Sequence, residues 1–163
     1  DLGVPVIADI EWTAGEATNL LLEVSDHLVL PIGFARRHTR RQAPGDVLAD
    51  LWSDTRSAVI LTDGAEGAYL LEAGGRPRHL PAHPVAVVDT TGAGDCFHGA
   101  YAHALVQKRS IGDCVRFAAA TAAISVGGRG GREALPSAEA VEQLLGRDDA
   151  PGFRDLRSEV EVR

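Results

Sequence analysis

The chain has 163 residues, 45% of them hydrophobic, which suffices for one substantial core without disulfides or a structural metal. Asp and Glu outnumber Lys and Arg by 23 to 16, and the formal charge of -7 argues against a broad electrostatic attraction to nucleic acid or an anionic membrane. No apolar run is long enough to span a bilayer, and the opening residues lack the basic region and long apolar stretch of a signal peptide.

Val4 to Ile10 is short, branched and apolar, with Asp9 and Glu11 at its end, the pattern of a buried strand whose acidic end reaches the rim of a sheet. Residues 15 to 25 follow as a helix with an apolar side of Leu20, Leu21, Leu22 and Val24, and His27 to Leu30 is a second strand closed by Pro31 and Gly33. A brief helix is expected at Phe34 to His38. The basic run Arg36, Arg37, His38, Arg40 and Arg41 reads either as a solvated helix end or as a surface that receives an anionic substrate or partner. After the break at Pro44-Gly45, Asp46 is placed to cap a helix carrying Val47, Leu48, Leu51 and Trp52. Ser57 to Thr62 is another buried strand, and Ala68 to Leu71 and Arg76 to Pro81, divided by Gly74-Gly75, suggest a hairpin.

Val85 to Val88 leads into a glycine turn at Gly92 to Gly94, followed by a helix from about Asp95 to Val106 and an alanine-rich one from about Ile111 to Val126. Glycines dominate 127 to 131, Ser137 caps a last helix with Val141, Leu144 and Leu145, and the charged tail is expected to be peripheral, with one short strand at Glu159 to Val162. Cys96 and Cys114 read as buried thiols of a reducing, cytoplasmic compartment, since no His or Asp stands at the spacing of a zinc site. Alternating strands and helices predict an α/β fold with a largely parallel central sheet and an antiparallel edge or flap, its active face beyond the strand ends.

The most informative stretch is Asp89-Thr90-Thr91-Gly92-Ala93-Gly94-Asp95-Cys96-Phe97. Two glycines around a small residue let backbone amides approach an anion, and the first turn of the following helix presents further unpaired N–H groups. For transfer to an alcohol, Asp95 accepts the hydroxyl proton while Gly92, Ala93 and Gly94 stabilise the oxygens of the transferred phosphoryl group. The alternative is an N-cap aspartate after an ordinary tight turn. The stretch is neither the lysine-containing phosphate loop nor the dinucleotide fingerprint.

DTTGAGDCFHGA closely resembles the second conserved motif of the ribokinase-like carbohydrate kinases, the PfkB family. The resemblance implies a three-layer α-β-α fold and transfer of the γ-phosphoryl group of ATP, with Mg2+, to a hydroxyl of a sugar, sugar derivative or nucleoside. Asp95 falls on the family's general base, and Gly92, Ala93 and Gly94 on its anion hole. VILTDGAEGAYLL resembles the family's strand and glycine turn near the ATP phosphates, which makes Thr62, Gly64 and Gly67 nucleotide contacts; as bare sequence these glycines are turn formers. Asp89 and Thr91 match positions that help bind a monovalent cation, K+, unless Asp89 simply fixes the turn. FAAATAAISVGGRGG resembles the late helix and loop beside the adenine, with Ala119 and Ala123 facing the base and Gly128 to Gly130 closing around it, although close helix packing explains the alanines equally well.

The resemblance weakens in two places. The family's Asn-x-x-Glu, tied to magnesium, corresponds here to Pro31-Ile32-Gly33-Phe34, so the magnesium ligands are undefined and a ketose-like or modified sugar is mildly favoured. The match covers only the second half of a typical member: residues 1–146 read as the nucleotide-binding and catalytic part and 147–163 as a tail. The amino-terminal half, with its lid and most sugar contacts, is then expected from another chain or from a larger enzyme of which this is a fragment, and a homodimer is one assembly it allows. Competing functions are a nucleoside kinase of the same fold and a non-catalytic nucleotide-binding module.

Overall fold

In the computed structural model, which describes residues 3–13 and 15–156, the uninterrupted branched apolar runs become the centre of a sheet. The chain forms two units, one comprising Asp1–Asp63, Ala68–His79 and Phe153–Arg163, the other Gly64–Gly67 and Leu80–Gly152.

Among the described residues one sheet has six strands in spatial order β1 (Ile7–Asp9), β2 (His27–Pro31), β3 (Ala58–Thr62), β4 (Ala68–Glu72), β5 (Arg78–Leu80) and β6 (Arg154–Asp155), carried by the first unit but for Leu80. The first three pair in parallel, whereas β3–β4 and β5–β6 pair antiparallel, a mixed sheet of the kind the alternation of elements predicts. The register Leu28↔Val59 and Leu30↔Leu61 puts their side chains on the face lined by three helices, α1 (Glu16–Val24), α2 (Ile32–Thr39) and α3 (Pro44–Leu51). Phe34, Val47 and Leu48 complete that core, where each fully buried aliphatic side chain contributes about 1.5–3 kcal/mol. Val29 and Ile60, alternating with them, are buried on the opposite face, which is why both strands read as continuous apolar runs.

Local chemistry sets the helix ends. Pro44 stands in the first turn of α3 and Ala43 is its N-cap, so Asp46 sits within the first turn and does not cap it; proline's fixed φ and missing N–H suit the first helical position. The Arg56 guanidinium donates to the carbonyls of Leu22 and Leu51, closing the last turns of α1 and α3 together, and burial lowers its pKa.

The second unit is built on α4 (Ala93–Val106), α5 (Ile111–Ser125) and α6 (Ala138–Leu145), with a single 3-10 turn at Gly64–Glu66. Small residues on α4 and α5, among them Ala100, Ala104, Ala118 and Ala120, are buried and allow the close approach of the two helices. Ser110 and Ser137 cap α5 and α6 by accepting from the amides of Asp113 and Ala140. Arg109 lies 4.6 Å over the Phe117 ring and pairs with Glu142 at 2.6 Å, joining α5 to α6.

Val85 to Val88 forms no strand. The expected strand at Glu159 to Val162 lies outside the described residues, and the tail instead adds β6 beside β5, with Leu156 N–H donating to the Pro77 carbonyl. Both cysteines are free; Cys114 is buried as expected, whereas Cys96 is only partly so. No described helix is long and apolar enough to cross a membrane.

Candidate active site

Glycine decides where α4 begins. Gly92 takes the left-handed conformation, φ 74°, and N-caps the helix without any side-chain bond. Asp95 is therefore the third residue of α4 and not its cap, which corrects the helix start expected at Asp95 and removes the N-cap explanation for this carboxylate, which lies instead in the helix's first turn. Asp95 is exposed, no described residue hydrogen-bonds its carboxylate, and its Oδ2 lies 3.9 Å from where a Cβ on Gly92 would stand. The carboxylate thus leans back over the loop that precedes it.

The amides around it divide into spent and open donors. Ala93 N–H donates to the Thr90 carbonyl at 3.1 Å and Cys96 N–H to the Gly92 carbonyl at 2.9 Å. No described residue accepts from the amides of Gly92, Gly94 or Asp95. Of the three anion-hole residues expected from sequence, Gly92 and Gly94 supply open donors, and Ala93 serves as the first helical residue. The open amides stand at the positive end of a 14-residue helix, a setting that stabilises negative charge.

A second glycine loop lies against this one. Val88 and Asp89 both donate their amides to the Val126 carbonyl, at 2.8 and 3.2 Å. The Asp89 carboxylate accepts from Thr91 N–H at 2.9 Å and Thr91 Oγ at 2.7 Å through one oxygen, and from Gly130 N–H at 2.8 Å through the other. These bonds, led by the amides of Thr91 and Gly130, hold its carboxyl below the ordinary range. A Cβ on Gly92 would come within 3.0 Å of Gly131 Cα, so the two loops meet where both lack side chains. Asp89 and Thr91 are brought together as expected, with Thr91 donating to Asp89.

The other expected residues take these places. Gly64 opens the 3-10 turn at φ 50°, and Gly67, at φ 98°, packs against the backbone of 80–82, where a Cβ would stand 2.1 Å from the Leu80 carbonyl oxygen. Ala119 and Ala123 lie four residues apart on one partly exposed face of α5, outside the buried set that includes Cys114, Phe117 and Ala118. Gly128 lets the loop turn close on Ala134, whose Cβ would stand 2.6 Å from a Cβ at 128. Thr62, in the first unit, ends β3 opposite Pro31 and Ala68.

Sequence reasoning passed over His98 and Glu133. His98 Nδ1 donates to the Gly94 carbonyl at 2.8 Å, fixing the first turn of α4, and Glu133 accepts from Arg129 N–H at 2.7 Å, fixing the second loop. Only the i+4 spacing of each pair was visible in advance. A cleft of about 410 Å3 in the first unit, lined by Trp52, Leu71 and Glu72, contains none of the expected residues, and Glu72 there is paired with Arg78.

Arranged this way, open amides and an unengaged carboxylate around a glycine loop can hold an oxyanion and accept a proton beside it. The profile of the pfkB family carbohydrate kinases matches residues 3–138. Ribokinase of Schizosaccharomyces pombe is 40% identical over 82 residues, which are 50% of this chain and 26% of that protein. Arabidopsis thaliana ribokinase, solved with ribose and ATP, gives a TM-score of 0.76 at 34% identity, covering 89% of this chain and 48% of that one. An E. coli protein described as ribokinase II, in complex with ATP and Mg2+, gives 0.71 at 27% identity, covering 78% and 41%. The chain spans less than half the length of each of these three proteins.

Proposed function

The chain belongs to the pfkB family of carbohydrate kinases, and from that premise we propose that the assembled protein transfers the γ-phosphoryl group of ATP to a hydroxyl of a sugar or sugar derivative, with Asp95 as general base. The observation that carries the reading is the pairing of open amides at Gly92, Gly94 and Asp95 with a carboxylate that no capping bond engages.

The chemistry follows from those groups. As the sugar oxygen forms its bond to the γ-phosphorus in line with the departing ADP oxygen, its proton passes to the Asp95 carboxylate. Charge gathering on the equatorial phosphoryl oxygens is met by amides already in place, so nothing reorganises at the moment of transfer. Gly64 and Gly67 are assigned to the phosphates, and the partly exposed face of Ala119 and Ala123, with Gly128, to the adenine.

Among the described residues no group of three or more His, Cys, Asp or Glu is placed to hold a metal ion. In this reading magnesium would arrive with the ATP phosphates, keeping several of its waters, and would supply neutralisation of their charge. Potassium at Asp89 and Thr91 fits poorly, because both carboxylate oxygens already face N–H and O–H donors, a set that satisfies an anion.

The assembly needs more than this chain. Among the described residues β1 pairs on one side only, and Leu20, Leu21 and Val24 of α1 are more than half exposed. An open parallel edge and exposed apolar side chains are surfaces that other chain normally covers. The covering element is assigned to the remaining half of the fold, in the same polypeptide or a second one, with a homodimer as the other outcome; light scattering and intact mass separate these. The two free thiols agree with a reducing, cytoplasmic setting.

The test is ADP formation by the assembled protein with ribose, deoxyribose, ketohexoses and nucleosides. Asp95→Asn is expected to lower kcat by about 10²–10⁴ while ATP binding persists, because an amide cannot take the proton. Undiminished transfer by this variant would sink the mechanism. Turnover confined to nucleosides favours the nucleoside kinase, and ATP binding without any transfer favours a non-catalytic module.

A further inference from the structure

The geometry points to Asp89 as a positioning residue that clasps the two glycine loops to each other, setting the distance between the expected phosphate and adenine sides of the site. Expected from sequence as a ligand for a monovalent cation, its carboxylate is instead divided between the loops. One oxygen takes the amide and hydroxyl of Thr91, at 2.9 and 2.7 Å; the other takes the Gly130 amide at 2.8 Å, across 41 positions of chain.

The rest of the contact shows why a clasp is needed. Gly92 and Gly131 meet with no side chains between them, so no side-chain packing at that contact fixes the register of one loop against the other. Gly130 stands at φ 65° with nothing within 4 Å of its would-be Cβ. Glycine loops lose the most conformational freedom on ordering, and a nucleotide spanning them must bear whatever ordering the protein has not already done. Beyond the clasp, the hydrogen bonds seen between the loops are those of Val88 and Asp89 N–H to the Val126 carbonyl, at the base of the second loop and four residues before Gly130. Glu133 holds the Arg129 amide within the second loop, so it is the Asp89 carboxylate that ties the tip of that loop to the first.

Asp89→Asn is nearly isosteric and breaks this division. An amide has one acceptor oxygen, so it keeps either the Thr91 pair or Gly130, and turns an N–H toward the other donor. Part of the consequence rests on the nucleotide reading proposed above, and part does not, so two measurements are made on the assembled protein. Amide hydrogen exchange, read by NMR, is expected to show Gly130 protected in the wild type and exchanging at least about tenfold faster in Asp89→Asn, with α4 and α5 unchanged. Thr91→Val, which leaves the bond from Gly130 in place, is expected to retain that protection. MgATP affinity, measured by calorimetry in buffers with and without potassium, is expected to fall about tenfold in Asp89→Asn equally in both.

Unchanged Gly130 exchange in Asp89→Asn overturns the clasp. So does an ATP affinity that rises with potassium in the wild type and loses that dependence in the variant, which would return Asp89 to a cation-ligand role. Faster exchange across α4 and α5 as well as at Gly130 also counts against it, as the mark of a general structural residue. If the wild type binds no nucleotide but Gly130 alone loses protection in the variant, the nucleotide reading fails and the clasp stands.

Discussion

Gly67 tests whether a glycine expected to touch nucleotide is there for the ligand or for the chain. Replacing it with alanine adds one methyl at φ 98°, a conformation L residues rarely adopt, at a cost of roughly 1–2 kcal/mol. The methyl carbon would also stand 2.1 Å from the Leu80 carbonyl oxygen, 2.6 Å from the Ala82 nitrogen and 2.7 Å from the Pro81 carbonyl carbon, all backbone atoms that no rotamer change can move. Relieving that overlap adds about 1–3 kcal/mol or more, so a total of roughly 3 kcal/mol or above is expected. Against a net stability of about 5–15 kcal/mol for an ordinary domain, this is a large fraction. Gly74→Ala is the control: φ is 71° there but no atom lies within 4 Å of the added carbon, leaving only the backbone penalty. Urea unfolding of the three proteins should place Gly67→Ala well below Gly74→Ala, with a melting temperature lower than wild type by roughly 6–12 °C. Equal losses for the two substitutions would refute the steric account and leave Gly67 to the nucleotide.

Two further outcomes follow from burial. His83 is buried, and desolvation, with Arg116 and Arg147 nearby and Asp149 opposing them, lowers its pKa below the ordinary 6.5. Between that ordinary value and the lowered folded one the unfolded chain binds the extra proton, so stability falls as pH drops below about 6.5; His27, also lowered by burial, acts in the same sense. His83→Gln should remove one of these contributions, at most about 1.4 kcal/mol per pH unit, and an unchanged pH slope of the unfolding free energy would contradict this. Cys114 is fully buried, and burial raises its thiol pKa, whereas Cys96 is partly exposed. A thiol reagent at neutral pH should therefore modify Cys96 first and Cys114 only on unfolding, which mass spectrometry of digested protein can read. Simultaneous labelling of both would mean that the α5 helix opens far more readily than its packing implies.

The elements were legible wherever a residue's effect is local. β2 and β3 could be read from branched apolar runs, and the caps at Ser110 and Ser137 are short-range hydrogen bonds that need only three or four residues to form. Asp46 lies inside α3 and does not cap it for an equally local reason, since Pro44 is the stronger first-turn residue. Val85 to Val88 leads into the glycine turn, but the amide of Val88, with that of Asp89, bonds the Val126 carbonyl 38 and 37 positions away, and no periodic pattern announces that.

The glycine turn, the aspartate after it and the family they resemble were all written in the chain's own order, because amide spacing along a loop and the side chain three residues on are fixed by covalent geometry. What tertiary structure alone decided was which of those amides remain open, that Gly92 rather than Asp95 caps α4, and that Asp89 reaches across to Gly130. A hydrogen bond consumes a donor wherever the fold brings an acceptor, and a partner 41 residues distant is chosen by packing and not by neighbourhood.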